Sequence, residues 1–151
     1  MIEIRKALES DIDRIIEIEN ESIEPAWTHG MLLGELYRDD SFFELALEND
    51  KILGFFILRE ISGEGELLQI AVTKAMRRRG IGNILMSACL DRAAKGGISQ
   101  VYLEVRAKNE AALSMYERHG FISAGRRKNY YVHPDDDAII MTKKIPAGAE
   151  K

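Results

Sequence analysis

The chain has 151 residues, of which 46% are hydrophobic and 30% charged, and it carries a formal net charge of −4 at pH 7. That length suits one domain with a sizeable core, and the balance is that of a soluble globular protein, while the acidic surplus argues against broad nucleic-acid binding. A single cysteine excludes a disulfide within the chain, and the lack of a long apolar or signal-like segment sets the expectation of a cytoplasmic protein, neither secreted nor membrane-bound.

Ile2, Glu3, Ile4 and Arg5 alternate as a half-buried strand does. Ser10 is placed to cap a helix, with Asp13 at the capping-box position and Ile12, Ile15 and Ile16 as the apolar stripe. The acidic run Glu17, Glu19, Glu21 and Glu24 reads as a solvated face. Pro25, Ala26 and Trp27 break the pattern, and Thr28 caps a second helix through Leu32, Leu33 and Leu36. Trp27, the sole tryptophan, is either a core anchor or an aromatic wall on a substrate groove. Residues 42–47 and 52–58 read as strands joined by a hairpin turn at 48–51, and residues 62–65 as a second turn.

Residues 67–72 then form a mostly apolar run of strand length. Ile81, Ile84, Leu85, Ala88 and Cys89 recur at helical spacing, which makes Cys89 core filling, not a nucleophile, and Lys95, Gly96 and Gly97 end that helix. Between strand and helix lie Arg77, Arg78, Arg79, Gly80, Ile81 and Gly82. The first N–H groups of a helix lack partners within it and sit at the positive end of its dipole, so a glycine-rich basic turn here favours an anion such as a pyrophosphate. The same glycines also suit a turn that needs them for geometry alone. A Walker loop does not fit, and a dinucleotide fingerprint lacks its third glycine, where this chain has Leu85.

Val101, Leu103 and Val105 share one face of a further strand and leave Tyr102 and Glu104 on the other. Two strands joined by one helix should lie parallel with a right-handed crossover. Asn109 caps a short helix that ends at Gly120, with Ala112, Met115, Tyr116 and His119 on one face. Phe121 and Ile122 open another strand, residues 125–131 and 133–137 read as a long polar loop, and residues 138–142 close the sheet. Residues 1–145 form one domain and residues 146–151 a frayed tail. Arg126, Arg127 and Lys128 beside two tyrosines resemble an RNA patch, but the acidic balance and Asp135, Asp136 and Asp137 weigh against it. That acid cluster is either a solvated loop or an attractor for a basic substrate tail.

Arg77, Gly80 and Gly82 after Val72 resemble the acetyl-CoA pyrophosphate loop of the GNAT acetyltransferase superfamily. Leu103, Glu104, Val105 and Arg106, then Asn109, Tyr116, Gly120 and Phe121, and Arg127 through Tyr131 with Asp137 and Ala138 are similar to a narrower group. That group is the ribosomal-protein-alanine N-acetyltransferases, bacterial or archaeal enzymes that acetylate the N-terminal amine of a small-subunit ribosomal protein. The resemblance is densest between residues 70 and 141. It implies an α/β (α+β) fold with a mixed twisted sheet, its central parallel strands splayed to admit acetyl-CoA and flanked by helices. It also implies that Ile70, Ala71 and Val72 offer backbone groups to the pantetheine arm, that the turn from Arg77, Arg78 and Arg79 through Gly80, Ile81, Gly82 and Asn83 wraps the pyrophosphate, and that Asn109 contacts the pantetheine. Glu104 matches the family's general base and Tyr116 its general acid. Tyr130 and Tyr131 match positions in the loop that covers the peptide N-terminus, around the groove where Trp27 is the candidate aromatic wall. Asp136 in place of a common glutamate, and Ala26 between Pro25 and Trp27, are departures that bear on peptide preference. The expected partner is a protein N-terminus, with no nucleic acid, membrane or metal, and the expected state is a monomer or weak dimer.

Acetyl transfer from a thioester to an amine needs a neutral amine, a place for the oxyanion and a proton for the departing thiolate. An α-amine of pKa about 7.7–8.0 is neutral to roughly a tenth at pH 7, whereas lysine lies over two units higher. One carboxylate, acting directly or through water, suffices for the α-amine. Glu104 reads either as that carboxylate or as an exposed strand glutamate. Tyr116 reads either as a core tyrosine or as the phenol that protonates a thiolate of pKa about 8.5. Transfer within a ternary complex follows. A small-amine acetyltransferase and a non-catalytic acyl-CoA sensor are the alternatives.

Overall fold

The structure, a computed structural model, describes residues 1–23, 25–132 and 134–146. Expectations that fell on Glu24, His133 and the tail after Pro146 lie outside the described residues. Seven strands, β1 (Glu3–Lys6), β2 (Ser41–Glu48), β3 (Lys51–Ile61), β4 (Glu64–Val72), β5 (Gln100–Arg106), β6 (Ile122–Tyr131) and β7 (Asp136–Lys144), form one sheet. Its order is β1-β2-β3-β4-β5-β7-β6. The helices are α1 (Ile12–Ser22), α2 (His29–Leu36), α3 (Ile81–Lys95) and α4 (Glu110–Arg118).

The sheet is mixed. β4 and β5 run parallel, joined through α3, and every other neighbouring pair is antiparallel. β4 and β5 share register only at Gly65 with Val101 and Glu66 with Tyr102. Beyond those pairs they part, although β4 runs on to Val72 and β5 to Arg106. A register shift between Ile57 and Leu58 puts an extra β4 residue opposite β3, a bulge of the kind that increases local twist and bends the strand carrying it. Gly54 lets β3 and the end of β4 stay close: a Cβ there would stand 2.5 Å from the Ala71 carbonyl oxygen.

Two apolar layers hold the sheet. On one face Ile12, Ile15 and Ile18 of α1 and Leu32 of α2 meet Phe43, Leu45, Phe55, Ile57 and Ala71. On the other, Ile81, Leu85, Met86 and Cys89 of α3 and Tyr116 of α4 meet Phe56, Leu58, Leu67, Leu103 and Met141. Burying each of the large side chains contributes about 1.5–3 kcal/mol. Cys89 is core filling, as its place on the helical stripe indicated.

Several local expectations hold in detail. Glu48 pairs with Lys51 across a two-residue turn in which Asn49 and Asp50 have φ of 51° and 65°, the conformation that suits a tight hairpin. Thr28 Oγ1 accepts the Met31 N–H and Asn109 Oδ1 accepts the Ala112 N–H, so both caps form. Gly120, at φ 92°, ends α4 after His119.

Three expectations are corrected. Ser10 does not cap α1: it sits in a 3-10 turn, and Asp11 takes the capping position, where its carboxylate binds the Leu8 N–H and the Arg5 guanidinium. Residues 125–131 are not a loop but most of β6, which pairs with β7 through irregular register; the polar run misled because β6 is an edge strand with little burial. The acidic run is not uniformly solvated either, since Glu19 is fully buried. No helix among the described residues is long and apolar enough to cross a membrane.

Candidate active site

The parting of β4 from β5 opens a wedge in the middle of the sheet, and residues named from the sequence collect around it. On the β4 side Ile70, Ala71 and Val72 lie past the last parallel pair. Alternate backbone groups of that stretch bond β3, so the others face the wedge instead of a neighbouring strand. After β4 a 3-10 turn of Lys74, Ala75 and Met76 leads into the basic turn.

Gly80 caps α3 with φ 81° and ψ 5°, a left-handed backbone that favours glycine, and no side chain satisfies the first turn of the helix. The N–H groups of Ile81, Gly82 and Asn83 therefore lack helical partners at the positive end of a 15-residue helix. Arg78 is itself left-handed, at φ 65°, and Arg78 and Arg79 are exposed. The two glycines serve different ends. A Cβ on Gly80 would meet nothing within 4 Å, whereas one on Gly82 would lie 3.2 Å from Met115 Sδ, so Gly82 lets α4 pack on the start of α3. Asn83 Oδ1 is 3.0 Å from His119 Nε2, a second tie between those helices.

Arg77 has partners inside the protein. Its guanidinium reaches the Ser22 hydroxyl at 2.9 Å, the Glu21 carbonyl at 3.4 Å and the Val72 carbonyl at 3.3 Å. Its side chain thus braces the turn against α1, and Arg78 and Arg79 are the basic side chains left at the surface of the turn.

On the opposite side of the wedge, Val101, Leu103 and Val105 point into the core and Glu104 points out of it. Glu104 is 23% exposed and lies 3.2 Å from Arg127 Nε on β6. Tyr102, on the same face, bonds Glu66 across the last parallel pair; burial and the Glu104 charge both push the Glu66 carboxyl above the usual range. Burial likewise raises the Tyr131 phenol, with Glu104 adding to it. Tyr130 and Tyr131 meet edge to face with ring centres 5.0 Å apart. Arg106 lies over the Tyr131 ring at 4.3 Å, and Arg127 over the Tyr130 ring at 5.3 Å. The tyrosine pair therefore belongs to a strand anchored beside Glu104.

Tyr116 enters from α4. It is 8% exposed, and its ring packs against Phe121 at 5.8 Å. Burial raises its phenol well above the usual value, with smaller contributions from Cys89 and Tyr131. At neutral pH it is a protonated donor. Asn109 uses its Oδ1 to cap α4, and its amide N–H groups are the part left for a ligand.

Asp136 and Asp137 are not a solvated acid patch. Asp136 is buried and accepts the Lys108 and Asp137 N–H groups. Asp137 accepts the Asn129 N–H and the Arg126 guanidinium, which hold its carboxyl below the usual range. Arg126 and Arg127 are thus ion-paired, to Asp137 and Glu104.

Trp27 is half-buried against the α1–α2 layer and its backbone N–H donates to Glu19 Oε2 at 2.8 Å. Glu19 was missed in the sequence, yet a signal existed: it lies at i+7 from Ile12 and i+4 from Ile15, on the apolar stripe itself. Arg127 as the partner of Glu104 had no local signal.

A basic, glycine-rich helix start and the strand ends past the last parallel pair are groups of the kind an acyl-CoA's diphosphate and amide-bearing arm require. Comparison with known proteins agrees. The Acetyltransferase (GNAT) family matches residues 10–121. The "[Ribosomal protein bS18]-alanine N-acetyltransferase" of Escherichia coli is 40% identical over 114 residues, 74% of each chain. That of Haemophilus ducreyi is 33% identical over 142 residues, covering 91% of this chain and 97% of its own. The crystal structure of the Escherichia coli ribosomal-protein-S18-alanine N-acetyltransferase superposes with a TM-score of 0.90 at 31% identity, over 96% of this chain and 94% of that one. An N-acetyltransferase of Thermoplasma acidophilum, solved in complex with coenzyme A, gives 0.80 at 25% identity, over 95% and 99%. On these matches and the splayed sheet together, the chain belongs to the acetyltransferase (GNAT) family and takes its acetyl group from acetyl-CoA.

Proposed function

We propose that the chain acetylates the N-terminal α-amine of a protein, a small-subunit ribosomal protein being the leading candidate, by direct attack within a ternary complex in the cytoplasm. The observation that carries this reading is the placement of Glu104: a half-buried carboxylate on the open face of β5, beside the wedge and next to the tyrosine pair of β6. The relatives named as bS18-alanine N-acetyltransferases support the choice of substrate.

Bound acetyl-CoA supplies an activated thioester. The helix start at Gly80, Ile81, Gly82 and Asn83, with Arg78 and Arg79, holds its diphosphate, and the free amides of residues 70–72 and the Asn109 amide hold its arm. Glu104 accepts the proton of the acceptor amine, directly or through a water. Backbone N–H groups of β4 facing the wedge stabilise the oxyanion, an effect often worth a few kcal/mol. Tyr116 gives its proton to the departing thiolate. Trp27, Tyr130 and Tyr131 wall the acceptor. Because an α-amine is partly neutral at pH 7, one carboxylate is enough.

Release of free CoA decides among the readings when it is followed with an Ala-initiated peptide, a polyamine and no acceptor. Turnover with the peptide alone is expected. Faster turnover with the polyamine would replace the reading with small-amine acetylation, and acetyl-CoA binding without turnover on any acceptor would make the chain a sensor.

A further inference from the structure

α1 carries a carboxylate that the chemistry above does not use. Glu19 is fully buried, and its Oε2 accepts two N–H groups, from the Trp27 backbone at 2.8 Å and from Gln69 Nε2 at 2.9 Å. Its Oε1 and the Gln69 Oε1 are buried without a hydrogen-bond partner among the described residues. A carboxylate in this place is unfavourable unless it is strongly compensated, and isoleucines fill the rest of the stripe at Ile12, Ile15 and Ile18. Stability alone would be served by another aliphatic side chain. A carboxylate does what an aliphatic side chain cannot: it accepts from two directions at once.

Those directions matter. Trp27 belongs to the connector between α1 and α2, and Gln69 precedes Ile70 on β4, past the point where β4 and β5 part. Two residues on, Glu21 accepts the Lys74 N–H at 2.9 Å and the Thr73 hydroxyl at 3.2 Å, while Arg77 holds the Ser22 hydroxyl. The end of α1 is therefore fastened by Glu21 to the segment leading to Gly80, and by Glu19 to the wall that carries Trp27.

We propose that Glu19 is a positioning residue for the acceptor, fixing the Trp27 connector against β4 so that the substrate N-terminus is held beside the acetyl group. The proposal rests on the N-terminal acetyltransferase reading, and it acts through Trp27 and Gln69, not through contact with either substrate. Glutamine at position 19 retains an oxygen for the Trp27 N–H and gains N–H groups for the unpartnered Gln69 Oε1, so it preserves the grip; alanine abolishes it.

Trp27 is the only tryptophan, so its fluorescence reports the connector directly. In Glu19→Ala its emission should move to longer wavelength, the acceptor-peptide KM should rise at least about tenfold, and acetyl-CoA affinity should stay within about threefold. Glu19→Gln should restore both emission and KM. Should Glu19→Ala not fold, Gln69→Ala cuts the same grip from the strand side and should move emission and KM in the same sense. Unchanged emission and KM, an equal loss of acetyl-CoA binding, or a Gln variant as impaired as Ala would overturn the proposal. If the wild type acetylates no N-terminus, the functional reading fails instead, and the Trp27 emission still decides whether Glu19 holds the connector.

Discussion

Arg127 Nε and Glu104 Oε2 lie 3.2 Å apart, so the carboxylate facing the wedge is tied to the strand that carries the tyrosine pair. One contact couples the carboxylate proposed to take the proton to the strand proposed to wall the amine. Glu104→Gln keeps the shape of the side chain and loses the proton acceptor. Acceptor kcat/KM should fall by about 10²–10⁴ at pH 7 with acetyl-CoA affinity unchanged. The deficit should shrink above about pH 8, where an α-amine is already neutral. A pH–rate profile of the two proteins checks this, and a constant ratio across pH would contradict a proton-accepting role.

Tyr116→Phe separates chemistry from packing. The ring contact with Phe121 at 5.8 Å survives, so Tm should change little. Loss of the phenolic proton should lower kcat by about 10²-fold or more while acetyl-CoA affinity holds. Calorimetry with acetyl-CoA and steady-state kinetics measure the two sides.

Glycines around the wedge should respond differently to a single methyl group. Gly80→Ala meets open space but is held at φ 81°, so it should cost about 1–2 kcal/mol and weaken acetyl-CoA binding. Gly82→Ala presses on the end of a flexible methionine and should cost less in stability. Gly54→Ala drives its Cβ to within 2.5 Å of the Ala71 carbonyl and should be the most damaging of the three. Denaturant unfolding ranks them.

The Asp11 carboxyl is held below its usual range by the Arg5 guanidinium, against the opposing effect of burial and with help from the Leu8 N–H. A folded-state value below the unfolded one means stability that is present above about pH 4 and lost as pH falls through the folded value. Asp11→Asn should therefore lower Tm at neutral pH and flatten the acid limb of the Tm–pH curve. An acid limb as steep as that of the wild type would assign the effect to other carboxylates.

How much was legible beforehand depends on the range of the signal. Helix caps at Thr28 and Asn109, the stop at Gly120, the hairpin at Asn49 and Asp50 and the outward face of Glu104 all came from patterns a few residues long, and the structure repeats them. By itself the amino-acid order determined most of the elements and the glycine turn, because capping and periodicity act between residues close along the chain, and its motifs carried the resemblance to the family. Only the tertiary structure decided that Glu19 is buried against Gln69, 50 residues away, that Arg77 braces α1, that Arg127 sits on Glu104 and that residues 125–131 continue an edge strand. Polar partners are chosen by proximity after folding, and no local period encodes which distant backbone a carboxylate will meet.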